Sequence, residues 1–451
     1  MNLPARPWFD RASPVPRAWP PPARDAARAT IDAVRARDRH GDAIHLAAAA
    51  LFALLATLDH APNSIAFAIL GGIALVRGIV FPALYTPLLR WPPLWFGAAW
   101  ALWCLASAAW APAQADSAHH LAGIRALLVP IALWPIVRHR RALAWALLAG
   151  IAINAVAQVA QRAGLLAPSS HAPLRPSGIV ALPAVAAISG GIGVLLSIAL
   201  LSSAARGARV ALAVTALVSA AGVALAASRG PALALVPTAI LLVALLVAFR
   251  HARPARVAFG TLIAVAAAAV AAPFVAAEFT RYLADAFATH RPGGFSSIAL
   301  RLYWWEEALG FWRSAPIAGH GAGSFAPLLA VRESALEFAR ESSVPHAHIL
   351  QQHPHNSLLR ALAETGLVGA LLLAGTAGAV LAAAFARARR DALAAGAFAS
   401  LVFVGLAAMT ECPEFMTISA SQAAIVAAIG ALPGARTGSS AGDGDRSHDA
   451  A

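Results

Sequence analysis

The chain has 451 residues, 59% of them hydrophobic and only 12% charged, with a mean hydropathy of +0.68. That is too apolar for an ordinary soluble globular protein and points to a polytopic membrane protein. The formal net charge is +13 and all 34 basic residues are arginines, but these lie mainly between apolar runs, which argues against nucleic-acid binding as the meaning of the charge.

Residues 1–42, rich in Pro, Arg and Ala, read as a flexible basic tail, without the compact apolar core and small-residue cleavage site of a signal peptide. Apolar runs of roughly 20 residues then predict about twelve spans. They fall near 43–58, 64–81, 94–111, 119–137, 142–161, 178–202, 210–227, 231–249, 257–277, 356–386, 392–410 and 415–432, followed by a second tail, 433–451. One connection, 278–355, is long.

Arginine content sorts the connections. Arg138, Arg140 and Arg141 share one loop, Arg206 and Arg209 another, Arg250, Arg253 and Arg256 a third, and Arg387, Arg389 and Arg390 a fourth. The alternate loops 59–63, 112–118 and 411–414 carry none. By the positive-inside rule both termini are then cytoplasmic and residues 278–355 lie outside. Arginines on the outer side are not needed for topology, so Arg175, Arg229 and those of the long loop are candidates for binding.

Arg229 sits in "SRGP", a tight turn between two spans, with Pro231 suited to the first turn of the next helix. A guanidinium beside a helix amino terminus suits a phosphate, although an arginine touching lipid headgroups reads the same way. "RLYWWEEALGFWRSAPIAGHGAGSF" (301–325) predicts an amphipathic helix lying at the interface, with Arg301, Trp305, Ala308 and Trp312 on one face. Its glycine-rich end reads as a loop or as a place where backbone approaches a ligand. In "HPHNSLLRALAETGLVG" (353–369) Pro354 can start a helix, and Asn356 or Ser357 can satisfy its first N–H groups. His355, Leu358, Leu359, Leu362, Gly366 and Gly369 would share a face, with the glycines admitting a neighbouring helix. Arg360 and Glu364, four apart on the other side, would support each other or a lipid-facing polar network.

His346, His348, His353 and His355 crowd ten residues, yet their spacing matches no closed zinc pattern, and no metal is expected. A histidine serving as general base suits them better. Cys104 and Cys412 support neither a disulfide nor a thiolate site.

"SRGPALAL" (228–235), the 301–325 segment and "PHNSLLRALAETGLVG" (354–369), in that order, resemble the O-antigen ligase and polymerase superfamily of bacterial inner membranes. His355 followed by Leu359, then Gly366 and Gly369, is similar to that family's His-x-x-x-Leu…Gly-x-x-Gly signature. The resemblance implies an all-α membrane glycosyltransferase of GT-C-like fold with its active site facing the periplasm. It implies transfer of a glycan from undecaprenyl diphosphate to an acceptor, without metal, cofactor or nucleotide sugar. His355 would be the catalytic residue and Arg229 and Arg301 the diphosphate ligands. Glu411 or Glu414 would match the family's late acidic residue, and Arg175 is a lesser candidate. The single dominant outer loop favours the ligase branch, whose acceptor is lipid A–core oligosaccharide. A polysaccharide polymerase comes next, then a protein-directed oligosaccharyltransferase. A lipid or solute transporter is the non-enzyme alternative, with Arg77 as its internal charge.

Overall fold

The computed structural model describes residues 31–116, 118–167, 175–180, 182–251, 280, 297–342, 349–350 and 353–432. The helices among them are α1 (Arg39–Leu55), α2 (His60–Val80), α3 (Pro92–Ser107), α4 (Ala118–Leu133), α5 (Arg140–Arg162), α6 (Pro183–Leu201), α7 (Arg206–Ala226), α8 (Arg229–Ala248), α9 (Ser297–Ser314), α10 (Phe325–Ala330), α11 (Glu333–Ser342), α12 (Ser357–Ala388), α13 (Ala392–Ala407) and α14 (Thr417–Ala431). No strand occurs among the described residues. A helix occupies every interval expected to span the membrane except the ninth, 257–277, which lies outside the described residues, as does most of both tails.

Among the described residues six helical stretches are long and apolar enough to cross a membrane: 60–80, 123–162, 183–201, 206–226, 229–248 and 357–388. The exposed side chains on these helices include Ile65, Ile79, Val210, Leu233, Ile240 and Leu371, an apolar outer surface that suits lipid. The chain is a multi-pass membrane protein. Lipid is as apolar as leucine, so burial of hydrocarbon does little to bring such helices together; close van der Waals fit does. Accordingly α6, the most enclosed helix, is built from Gly, Ala, Ser, Ile and Leu and is buried along nearly its whole length. It packs against α5, α7, α8 and α13, the last also rich in Ala and Gly.

Contacts join three of the four arginine-rich loops to one another. At one end Arg140 pairs with Asp391 at 2.5 Å, the His251 ring bonds the Ala388 carbonyl at 2.6 Å, and Arg387 donates to the Leu432 carbonyl. Arg77 lies there too. Its guanidinium donates to Asp38 at 2.7 Å, to Asp42 at 2.6 Å and to His45 Nδ1 at 3.0 Å. The internal charge that a transporter would require is thus neutralised within the bundle. At the other end Trp110 donates to the Gly319 carbonyl at 3.2 Å and the Ala322 N–H to Ser107 Oγ at 3.1 Å.

The helix carrying the histidine signature is not continuous. Gly366 has φ 66° and ψ −168°, a region essentially reserved for glycine, and it breaks α12 into an outer piece and a long shaft. The break leaves two carbonyls and two N–H groups without helical partners, and residues 316–321 supply all four. Leu367 N–H donates to the Pro316 carbonyl at 2.9 Å and Val368 N–H to Ile317 at 3.2 Å. In return His320 N–H reaches the Ala363 carbonyl at 3.1 Å and Gly321 N–H that of Glu364 at 2.7 Å. Non-helical backbone within a membrane protein persists where protein covers it in this way. Trp103 of α3 adds a hydrogen bond to the Thr365 carbonyl at 2.9 Å.

This geometry corrects several expectations. The glycine-rich turn is a loop, and its backbone approaches that of α12. Gly366 serves the break rather than the packing of a neighbouring helix, whereas Gly369 does face Trp103. Helix α12 starts at Ser357, so Pro354 precedes it and His355 is not on its wheel. Arg360 and Glu364 are paired at 3.1 Å, but they are 1% and 0% exposed and so face the interior, not lipid. Glu364 also accepts from Phe325 N–H at 3.3 Å, which ties α10 to the outer piece of α12. Finally, α9 is not an isolated interfacial helix: Leu300, Trp304, Ala308 and Phe311 form its buried face, and it packs on α12.

Candidate functional site

Four elements meet at the outer piece of α12. Asn356 is its N-cap, with extended backbone and a side-chain oxygen that accepts the Leu359 N–H at 3.1 Å. The same residue donates Nδ2 to the Met409 carbonyl at 3.0 Å, and Ser357 N–H donates to Ala408 at 2.9 Å. The donors at the start of α12 therefore satisfy carbonyls at the end of α13, which fixes the 408–414 turn beside His355.

That turn supplies the central group. Glu411 is 4% exposed, yet one carboxylate oxygen accepts from Arg301 Nη2 at 2.9 Å and the other from His355 Nδ1 at 2.9 Å. Burial alone would push the Glu411 carboxyl up. The hydrogen bond and charge from His355, with those from Arg301, outweigh it and hold the group below its usual range. An ionised carboxylate only accepts, so His355 Nδ1 carries the hydrogen of this contact. Arg301 spends a second donor, Nη1, on the Thr410 carbonyl at 2.9 Å. Both side chains keep an exposed part, 30% for Arg301 and 22% for His355.

His355 itself is held in the left-handed region at φ 52°. A non-glycine residue there costs on the order of 1–3 kcal/mol and is kept only by its surroundings. Its N–H donates to His353 Nδ1 at 3.3 Å, and Trp305 Nε1 donates to the preceding Pro354 carbonyl at 3.0 Å. The His353 and His355 rings meet edge to face, 4.5 Å between centroids. Among the described residues no three His, Cys, Asp or Glu side chains group as a metal site, and His346 and His348 lie outside those residues. Cys104 and Cys412 are both free and share a buried cluster with Trp100.

Arg229 opens α8, after Ala227 in a left-handed cap and Ser228 in extended backbone. The next residue touches the same turn: a Cβ on Gly230 would lie 1.8 Å from Thr410 Oγ1. Only glycine lets the start of α8 come so near Thr410, whose carbonyl Arg301 holds. Arg301 and His355, predicted from separate motifs, thus meet at 410–411, and the residue after Arg229 approaches the same turn. Arg175 is exposed, and no described contact joins it to that group; the adjacent Pro176–Gly178 backbone is bound by Gln158 and Gln161 of α5 instead.

The two acidic candidates separate. Glu414 lies one layer beneath, its Oε2 accepting from Ser357 Oγ at 2.6 Å, while Oε1 is buried without a hydrogen-bond partner among the described residues. Burial raises the Glu414 carboxyl to about 7, with the Ser357 hydrogen bond working the other way. The folded state therefore keeps this proton between about pH 4.5 and 7, where the unfolded chain has lost it, and stability falls as pH rises through that window. Glu414→Gln removes the titration. The variant is expected to match the wild type at pH 4.5 and to be about 3 kcal/mol more stable at pH 8, by the conversion of about 1.36 kcal/mol per unit. Thermal unfolding in detergent at the two pH values checks this, and an equal offset at both would contradict it.

Sequence reasoning missed Trp304. Its ring stacks on His355 with 5.2 Å between centroids and 22° between planes. The helical wheel set its neighbours Arg301 and Trp305 on the functional face and left Trp304 aside.

Residues 214–374 match a family model described as O-Antigen ligase. Over that stretch the chain is similar to the O-antigen ligase family. No curated protein matches the chain. The matched region runs from α7 into the shaft of α12, so it includes Arg229, Arg301, His355 and the break at Gly366. Glu411 and Glu414 fall beyond it; contact with His355 and Arg301, not the family match, singles out Glu411.

Proposed function

We propose that the protein is an O-antigen ligase of the inner membrane, with both termini cytoplasmic, about twelve spans and the His355 end of the bundle in the periplasm. It transfers a glycan from undecaprenyl diphosphate to a hydroxyl of lipid A–core oligosaccharide, with inversion at the anomeric carbon. The observation that carries this reading is the Arg301–Glu411–His355 chain of contacts, two of whose members lie in the stretch similar to O-antigen ligases. His355 Nε2 takes the acceptor proton while the acceptor oxygen attacks the anomeric carbon. The bond from that carbon to the diphosphate oxygen breaks, and the diphosphate leaves with the electron pair. Arg301 and Arg229 neutralise the charge that gathers on it; this asks for fixed cations close to the leaving group. Glu411 fixes the tautomer of His355 and stabilises the imidazolium, as a carboxylate does for any paired histidine base. Arg175 and Glu414 have no step in this scheme.

Glu411→Gln keeps the shape but presents a weaker, neutral partner to Nδ1. Transfer is expected to fall about 100-fold, mostly in kcat, within the range that acid–base positioning contributes. Unchanged kcat would remove Glu411 from the mechanism.

The branch is tested by supplying purified protein with undecaprenyl-diphosphate-linked glycan and lipid A–core. Product on lipid A–core alone is expected. Longer lipid-linked glycan would instead make the protein a polymerase, and product on a peptide hydroxyl a protein-directed transferase.

A further inference from the structure

His355 works as a base only if its ring stays where Glu411 meets Nδ1, and that placement depends on a residue outside the motifs. Trp304 is 4% exposed, and its Nε1 donates to the Ile349 carbonyl at 2.8 Å, which locks the indole. Its face then covers one face of the imidazole. The adjacent Trp305 pins the peptide entering His355 through the Pro354 carbonyl. A loop histidine would otherwise be free to rotate about two side-chain bonds. Here one face meets Trp304, one edge meets His353 and Nδ1 meets Glu411, so Nε2 is the nitrogen left to act.

We propose that Trp304 is a positioning residue for glycan transfer, acting through His355 by holding its ring and by favouring the imidazolium formed during the reaction. The proposal rests on His355 being the base. The face of an indole carries the negative lobe of its quadrupole and attracts a cation lying over it. The charged and titratable groups facing the imidazole are Glu411 from the turn after α13, Arg301 from α9 and His353 from its own loop; Arg229 adds positive charge from the start of α8. Glu411 favours the cation and the arginines oppose it. A tryptophan face shifts that balance toward the cation without adding a negative charge that would repel a diphosphate. A second carboxylate in its place would do so.

The test is the pH profile of kcat for transfer from undecaprenyl-diphosphate-linked glycan to lipid A–core, for the wild type, Trp304→Leu, Trp304→Phe, Trp305→Phe and His355→Ala. A base must be deprotonated to act, so activity rises with pH through the His355 titration. Loss of the indole destabilises the cation, which moves that acid limb to lower pH. Trp304→Leu is expected to lower kcat about tenfold and to move the limb down by about half to one unit, within the range of a desolvated cation–π contact. Trp304→Phe keeps a weaker aromatic face and is expected to show smaller changes in the same direction. It also serves as the test variant if the leucine protein fails to accumulate. Trp305→Phe is expected to reduce kcat with the limb in place. An unmoved limb in both Trp304 variants, even with reduced kcat, would overturn the proposal, since a merely structural role predicts that pattern. Transfer retained by His355→Ala would overturn the base assignment itself, whatever the tryptophan variants show.

Discussion

Replacing His355 is expected to abolish glycan transfer while the protein still reaches the membrane in normal amount. Removing the imidazole leaves Glu411 paired with Arg301 at 2.9 Å, so no buried charge is orphaned. The side chain is partly exposed, and its loss opens little space in the core. Backbone is the only structural concern, because φ is 52°. Alanine there costs about 1 kcal/mol, whereas asparagine tolerates the left-handed region and still cannot act as a base at neutral pH. His355→Ala and His355→Asn should therefore behave alike in transfer, each losing about 10⁴-fold, the upper end of what a positioned base supplies. The readout is O-antigen attached to core lipid, resolved as a ladder, beside the amount of protein in the membrane. Wild-type ladders in either variant would sink the assignment.

The largest structural effect is expected at Gly366. An alanine Cβ there would lie 2.2 Å from the Ile317 carbonyl oxygen, a backbone atom that cannot move without its neighbours. The φ,ψ pair is itself available to glycine almost alone, at a cost of about 1–3 kcal/mol for other residues. Relieving the clash pulls residues 316–321 off the break and strands the four backbone hydrogen bonds they make. Each is worth about 1 kcal/mol, and more when its groups stay buried. The total exceeds about 5 kcal/mol, which is the whole margin of many proteins. Gly366→Ala should fail to accumulate as a folded protein. Gly378→Ala, in the same helix but with open space around it, is the control and should accumulate normally. Equal yields of the two proteins in detergent, with equal thermal stability, would contradict this account of the break.

Much of the architecture was legible in the sequence because a membrane imposes simple rules. Apolar runs of sufficient length marked helices, and three of the loops that share arginines also share contacts. The cap at Asn356 was legible because its chemistry is local. What escaped was non-local. In an apolar run "TGLVGA" reads as smooth helix, and only residues some fifty positions earlier make a break affordable. "TECPEF" offers two carboxylates three residues apart. The turn at 413–415 sends one toward His355 and the other toward Ser357, and composition cannot choose between them. Arg360 and Glu364 showed their mutual spacing but not their burial, which depends on α10 and the glycine-rich loop closing over them. Trp304 fell outside the expected face because the partner of α9 is the outer piece of α12 rather than the membrane surface.

The four-bond exchange at Gly366 also constrains how the protein is made. Residues 316–321 leave the ribosome well before Gly366 does. Until then the four groups that meet the break lack their partners in α12, and the Gly319–Ala322 turn can lean only on Trp110 and Ser107. The helix completing that contact is also the one that brings His355, so the nucleophile-activating group and its scaffold arrive in the same step of synthesis. A chain halted before α12 carries both arginines and half of the scaffold, and assembles neither.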